Sequence, residues 1–276
     1  MKKYKIGEVA KIVDIPAESI RFFESKGLIS PEKDPFNKYR YYDVWDINRL
    51  YDYKKFRNLD FSLAESIDIV KSSSFETMVE HLNDKQEEAD KMARYYELKS
   101  LKLQSYQNVL KNIPLLLGEY PVVNRPEGYY FINRTYDGEE FRFDKAEDWK
   151  GYFDELLQYY AFVENIYRIR KERFEQPDGP EEYQWGFTIK KKWADALDIK
   201  INSKMMHISP VKSIYTIICA EGKEAFSSRL FRPVFEYMKT RGYQFSGDIL
   251  GNHLITTQQD NTVRRYMEVW IPISES

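Results

Sequence analysis

The chain has 276 residues, 42% of them apolar and 16% aromatic, which is ample for two domains with real cores and excludes disorder as its default state. No run of eighteen apolar residues occurs, and Met1-Lys2-Lys3-Tyr4-Lys5 leads into Glu8 and Lys11 rather than an apolar signal segment, so a soluble cytoplasmic protein without a membrane partner is expected. Net charge is −2, with 13 Lys+Arg against 10 Asp+Glu in residues 1–60 and 29 against 34 in the rest, a mild basic excess at the N-terminal end.

The single cysteine, Cys219, cannot close an intrachain disulfide, and His81, His207 and His253 lie far apart with no metal-ligand spacing. No Ser-His-Asp or Cys-His set is evident either, so neither a cofactor nor an enzyme is expected.

In chain order, Ile6 to Val13 forms a short amphipathic stretch, and Asp14-Ile15-Pro16 turns the chain into a second helix, about Ala17 to Lys26. That helix sets Ile20 and Phe23 on one side, Ser19 and Arg21 nearer the other, and stops at Gly27. The prolines of residues 28–42 forbid helix, while Tyr39 to Tyr42 suit a strand, so a β-hairpin wing carrying Lys38 and Arg40 among tyrosines is expected. Helical pattern resumes over Val44 to Arg57 and Ser62 to Lys71, with Ser62 and Glu65 placed as a capping box.

Residues 75 to 117 show a heptad repeat. Its a positions are Phe75, Leu82, Ala89, Tyr96, Leu103, Leu110 and Leu117, and its d positions are Met78, Lys85, Met92, Lys99, Tyr106 and Ile113. One helix with an apolar edge results, which pairs with a second copy or folds back on its own C-terminal half.

Beyond Pro121 helix and strand mix. Tyr129 to Ile132 and Tyr183 to Ile189 read as strands, Ala146 to Arg170 as a helix with Trp149, Phe153, Leu156, Leu157 and Tyr160 on one face, and Gln176 to Pro180 as a loop. Lys212 to Ala220 reads as a strand, Lys223 to Arg241 as a helix ended by Gly242, Phe245 to Thr257 as a strand with a turn at Gly251-Asn252, and Arg264 to Ile273 as the last strand. Two similar halves of an antiparallel sheet with helices on one side follow from this order.

Three N-terminal motifs carry a resemblance: Tyr4-Lys5-Ile6-Gly7-Glu8-Val9-Ala10, then Ile20-Arg21-Phe22-Phe23-Glu24-Ser25-Lys26-Gly27-Leu28-Ile29-Ser30-Pro31, then Tyr39-Arg40-Tyr41-Tyr42. Together they resemble the DNA-binding domain of MerR-family transcription regulators, with departures at Phe22-Phe23-Glu24, where the family usually has Tyr-Tyr-Glu, and at Asp60-Phe61, where it usually has Gly-Phe. The C-terminal half looks more loosely like the gyrase-inhibitor-like effector domain of the multidrug-binding members. The resemblance implies a multidomain α and α+β protein: a winged helix-turn-helix over 1–73, a dimerising coiled-coil helix over 74–118 and, over 119–276, an antiparallel sheet with helices around a ligand pocket. It also implies a homodimer through 75–117 on palindromic double-stranded promoter DNA, with RNA polymerase as partner and an activating role.

On that resemblance the helix of Ser19, Arg21 and Phe22 enters the major groove and the wing of Lys38, Tyr39, Arg40 and Tyr41 follows the backbone. Arginine offers paired donors to guanine or phosphate, and amides near Ile6 and Gly7 suit a phosphate at a helix start. For the effector, Trp149, Tyr152, Trp185, Phe187, Tyr215, Tyr266 and Trp270 supply aromatic faces, and Glu268, sharing a strand face with Tyr266 and Trp270, supplies a carboxylate for a lipophilic cation. A second acid is missing where Leu250-Gly251 stand, so a neutral aromatic ligand stays open. Two other readings compete: a small-molecule hydrolase with Glu268 as base, and a coiled-coil interaction module whose first domain binds protein.

Overall fold

The computed structural model describes residues 2–72, 74–136, 140–143, 151, 156–175, 182–221, 228–259 and 261–275. They fall into two compact units, Met1–Arg94 and Tyr95–Ser276.

The first unit opens with α1 (Ile6–Val13) and α2 (Ala17–Ser25), linked through Asp14 in the left-handed conformation (φ 50°). Gly27 (φ +71°) ends α2 and lets the Leu28 amide return to the Phe23 carbonyl. The wing is a two-stranded antiparallel hairpin, β1 (Glu32–Lys33) with β2 (Arg40–Tyr41). Asp43 then caps α3 (Val44–Asn58), its Oδ1 accepting the Trp45 and Asp46 amides at 2.8 and 3.0 Å. Asp46, buried, accepts the amides of Asp43 and Ser30, which ties the turn after α2 to the start of α3. The Ser62–Glu65 capping box forms as the sequence suggests, opening α4 (Leu63–Ser72). Val9, Val13, Ile20, Phe23, Leu28, Leu50 and Tyr53 make the core, with the Phe23 and Tyr53 rings 4.5 Å apart.

The long helix, α5 (Phe75–Leu116), is continuous, roughly 60 Å at ~1.5 Å per residue, with Pro114 in its last turn. Its first turns belong to the first unit, where Met78 packs on the cluster of Phe56, Phe61 and Ile69, and its residues from Tyr95 onward belong to the second.

The second unit is built on one antiparallel sheet. In spatial order the strands are β3 (Val122–Asn124), β9 (Lys212–Glu221), β12 (Thr262–Glu275), β11 (Ile249–Gln259), β6 (Val163–Ile169), β7 (Tyr183–Lys190), β4 (Gly128–Tyr136) and β5 (Phe141–Phe143). Short strands β8 (Met206–Ile208) and β10 (Tyr243–Phe245) add to β4 and β12. Three short or medium helices complete it: α6 (Lys171–Glu175), α7 (Lys191–Ala196) and α8 (Ser228–Arg241).

Register separates the two faces. Phe231, Val234 and Met238 of α8 pack on Ile214, Ile218, Met267, Val269 and Ile271, while Trp193 of α7 packs on Phe131, Phe187 and Ile189. The alternating set Ile166, Thr188, Lys190, Leu250, Asn252, Glu268 and Trp270 therefore points the other way.

Two sequence expectations are corrected. The helix expected to run to Arg170 gives way to a short 3-10 turn (Tyr160–Phe162) and then β6, because Val163, Ile166 and Ile169 fill a central strand between β7 and β11. Of that expected helix, residues 146–150 and 152–155 lie outside the described residues. Nor is there a turn at Gly251-Asn252: β11 passes straight through, and the glycine serves close packing instead. A Cβ on Gly251 would stand 2.2 Å from Tyr167 Cζ and Oη and 2.5 Å from the Glu268 carbonyl oxygen. Gly251→Ala should thus lower stability by about 1–3 kcal/mol through overpacking, read as a reduced urea midpoint; an unchanged midpoint contradicts the contact.

Candidate functional site

Two sites stand out, one in each unit. In the first, a groove of about 520 Å³ is lined by Lys5, Ile6, Gly7, Glu8, Lys11, Arg21, Lys38, Tyr39 and Arg40. Five basic side chains thus face one acid, a local concentration far above the slight basic excess of the segment as a whole. Groups from α1, α2 and the wing meet here because the core of Val9, Ile20 and Tyr42 packs beneath them.

The wing turn is held from inside. Asp34 Oδ1 accepts the amides of Phe36 and Asn37 at 2.8 and 3.1 Å, and Asn37 Oδ1 accepts that of Tyr39 at 2.8 Å, with Lys38 between them in the left-handed region (φ 62°). Arg40 is fixed by α2: its Nε donates to both carboxylate oxygens of Glu24, at 2.8 and 2.7 Å. That bond to Glu24 also raises the arginine's pKa further above its ordinary value. Lys5 Nζ lies 5.7 Å from the Tyr39 ring, joining the start of α1 to the wing. The amides of Glu8 and Val9 are taken by the Lys5 carbonyl, while those of Ile6 and Gly7 start the helix at the groove wall, where a Cβ on Gly7 would meet open space.

Of the residues singled out in the sequence, Ile6, Gly7, Arg21, Lys38, Tyr39 and Arg40 come together in this groove. Ser19 and Tyr41 are half-buried and Phe22 is exposed, none of them lining it; the Phe22 ring instead carries Lys26 Nζ at 5.6 Å. Lys5 and Lys11 were missed. Their spacing along α1 reads as an ordinary solvated helix face, and only the wing folding over it gives them a shared focus.

The second site is a cavity of about 410 Å³ in the C-terminal unit. Lys102, Ser105, Tyr106 and Val109 of α5 form one wall; Tyr160, Ala161, Val163, Glu164 and Asn165 form another; and Lys190, Asn252, His253, Leu254 and Glu268 close it. Glu268 is buried. Its Oε2 accepts from Tyr215 Oη at 3.1 Å, its Oε1 accepts from Asn252 Nδ2 at 3.0 Å, and Lys190 Nζ lies 3.7 Å from Oε1. Asn252 Nδ2 also donates to Glu164 at 2.7 Å, and Glu164 accepts from Lys102 and has Lys190 Nζ at 3.6 Å. The charges alternate Lys102, Glu164, Lys190, Glu268.

Burial pushes Glu268 above the usual carboxylate range, Lys190 opposing it and Glu164 adding to it. For Glu164 burial acts the same way, but the ammoniums of Lys190 and Lys102 win and hold it below that range. Burial, reinforced by the Glu268 charge and hydrogen bond, raises the Tyr215 hydroxyl far above its ordinary pKa, so it stays a donor.

Glu268 therefore lies on the cavity, with Tyr215 behind it and Trp270 beside it, the Tyr215 and Trp270 rings 5.4 Å apart. Tyr266, half-buried, pairs in register with Cys219 and does not line the cavity. Trp185 and Phe187 are carried by β7 to the opposite face, Trp185 against Tyr167 at 5.7 Å and Phe187 into the core with Phe131. Trp149 and Tyr152 lie outside the described residues. Sequence reasoning missed Glu164, Lys102, Lys190 and Asn252, which come from elements far apart in the chain.

By its geometry the first unit is a winged helix-turn-helix. Residues 4–73 match the family model described as MerR HTH family regulatory protein. The chain is 38% identical over 65 residues to the HTH-type transcriptional regulator CueR of Escherichia coli, covering 24% of this chain and 48% of that one. It is 41% identical over 61 residues to the ZntR homolog of Haemophilus influenzae, covering 22% and 45%. The chain thus spans about half the length of the curated relatives it matches. Among solved structures it is similar to the chain of an EcmrR–DNA complex, at 14% identity, 99% and 100% coverage and a TM-score of 0.34. Among the described residues no helix is long and apolar enough to cross a membrane.

Asn252 is the shared donor of both buried carboxylates. Asn252→Leu should cost about 1–3 kcal/mol by stranding two acceptors, seen in chemical denaturation; an unaltered unfolding curve contradicts this bridging role.

Proposed function

We propose that the protein is a ligand-responsive transcription regulator that binds a palindromic promoter as a homodimer and activates it together with RNA polymerase. One observation carries the DNA reading: five cations, two of them arginines, converge with a helix start on one groove of a MerR-type domain. Arg21, on α2, is placed to read a base edge in the major groove, while Lys5, Lys11, Lys38 and Arg40 meet phosphates.

Dimerisation is supported by α5. Along its a stripe Phe75 is 86% exposed, Leu82 39%, Tyr96 59% and Leu103 66%, an apolar edge that a second copy of the helix would cover. Part of the helix is already used within the chain: Leu98 joins the core, the d-position Ile113 is buried, and the d-position Tyr106 donates to the Leu254 carbonyl. The C-terminal cavity serves as the sensory site for a small amphiphilic molecule. Because α5 forms its wall, an occupant presses on the helix that bears the proposed pairing stripe.

Fluorescence anisotropy on duplex from the protein's own upstream region tests the DNA reading. Arg21→Ala should weaken specific binding roughly ten- to a hundred-fold, whereas Lys38→Ala should weaken all sequences alike and reduce the salt slope by about 1. No binding to any upstream fragment at low salt, or affinity indifferent to both substitutions, overturns it.

A further inference from the structure

The ligand class follows from how charge is arranged on the C-terminal cavity, on the premise that this cavity is the sensory site proposed above. We propose that it takes a small amphiphilic organic acid, a carboxylate on an apolar body, whose oxygens accept hydrogen bonds from Lys190 and Lys102.

The unspent hydrogen-bonding capacity lies on the cations. Lys190 Nζ sits 3.6 Å from Glu164 and 3.7 Å from Glu268, so its contacts with both acids are longer than ordinary hydrogen bonds. Among the described residues no carboxylate approaches it more closely than 3.6 Å, although its side chain is only 22% exposed and lines the cavity. An ammonium has three donors and no acceptor, so a buried one in this state favours an incoming oxygen. The two acids are in the opposite condition. Each oxygen of Glu268 already holds a neutral donor, from Asn252 and Tyr215, and each oxygen of Glu164 holds one from Lys102 or Asn252.

Charge balance points the same way. Two ammoniums and two carboxylates line the cavity, Lys192 is close enough that Lys190 and Lys102, after burial, lower its pKa, and His253, whose pKa burial lowers, lines the cavity without adding positive charge. Either ligand charge meets like charges here, but a lipophilic cation would also have to displace Lys190 from Glu268, whose two oxygens already hold donors. An acid meets donors in a low-dielectric site, where charge-assisted bonds are strong. Tyr106, Val109, Tyr160, Val163 and Leu254 give its body an apolar surface, and about 410 Å³ suits a ligand of one ring and a short chain.

The test uses an isosteric pair, 4-phenylbutyrate and 4-phenylbutylamine, with tetraphenylphosphonium as a bulky cation, titrated into the full-length protein by calorimetry. The acid should bind at least ten-fold more tightly than either cation. Lys102→Gln should weaken it at least ten-fold. So should the double variant Lys190→Gln, Glu268→Gln, which removes a cation and an anion together and so keeps the buried charge balance; circular dichroism checks its fold. A cation bound as tightly as the acid, no acid binding at all, or acid binding unchanged in the charge-balanced double variant overturns the proposal. Promoter binding by the same preparation reads the regulator proposal separately: DNA bound without any response to acid refutes only the ligand class, and acid bound without DNA refutes only the regulator.

Discussion

The rest of the structure depends on α5 having two apolar faces rather than one. From Tyr95 onward, one side of it packs with Leu98, Lys102, Tyr106 and Ile113 toward the C-terminal sheet, where it forms a cavity wall. The a stripe of Phe75, Leu82, Tyr96 and Leu103 lies on another side and remains uncovered. A helix serving only a coiled coil would leave the cavity open, and one serving only the sheet would have no reason for an apolar seam every seven residues. The same stretch of backbone therefore packs against the C-terminal unit on one side while its a stripe stays exposed.

Each unit is pre-set by polar side chains that order its site. In the first, Glu24 aims Arg40, Asp34 and Asn37 fix the wing turn, and Asp46 joins α2's exit to α3, so intrachain bonds order the walls of the cationic groove. In the second, Asn252 and Tyr215 orient Glu268, and Lys190 is suspended between two acids. Satisfied networks of this kind rigidify a site.

How much of this was legible in the sequence follows the range of the interactions. The boundaries of α1, the hairpin wing, the Ser62–Glu65 cap and the glycine stop at Gly27 are local matters of spacing and backbone geometry, and the structure reproduces them. The strand at Val163–Ile169 was hidden because a helical pattern upstream runs into it without a breaker, and its β-branched residues win only through two neighbouring strands. Gly251 looks like a turn residue in sequence, yet it is needed because the Tyr167 ring lies against its backbone, a contact 84 residues distant that leaves no local signature. Glu268 was identifiable from its alternation with Tyr266 and Trp270. Its counter-charges were not, since Lys190 and Glu164 reach it only through strand register.

The most direct measurement of the central claim is a hydroxyl-radical footprint of the full-length protein on its upstream duplex, run alongside sedimentation equilibrium. Two protected segments related by a two-fold axis and spaced by whole helical turns, from a species of twice the chain mass, are the result expected of paired α5 helices presenting two wings. A single protected segment bound by a monomer would contradict it.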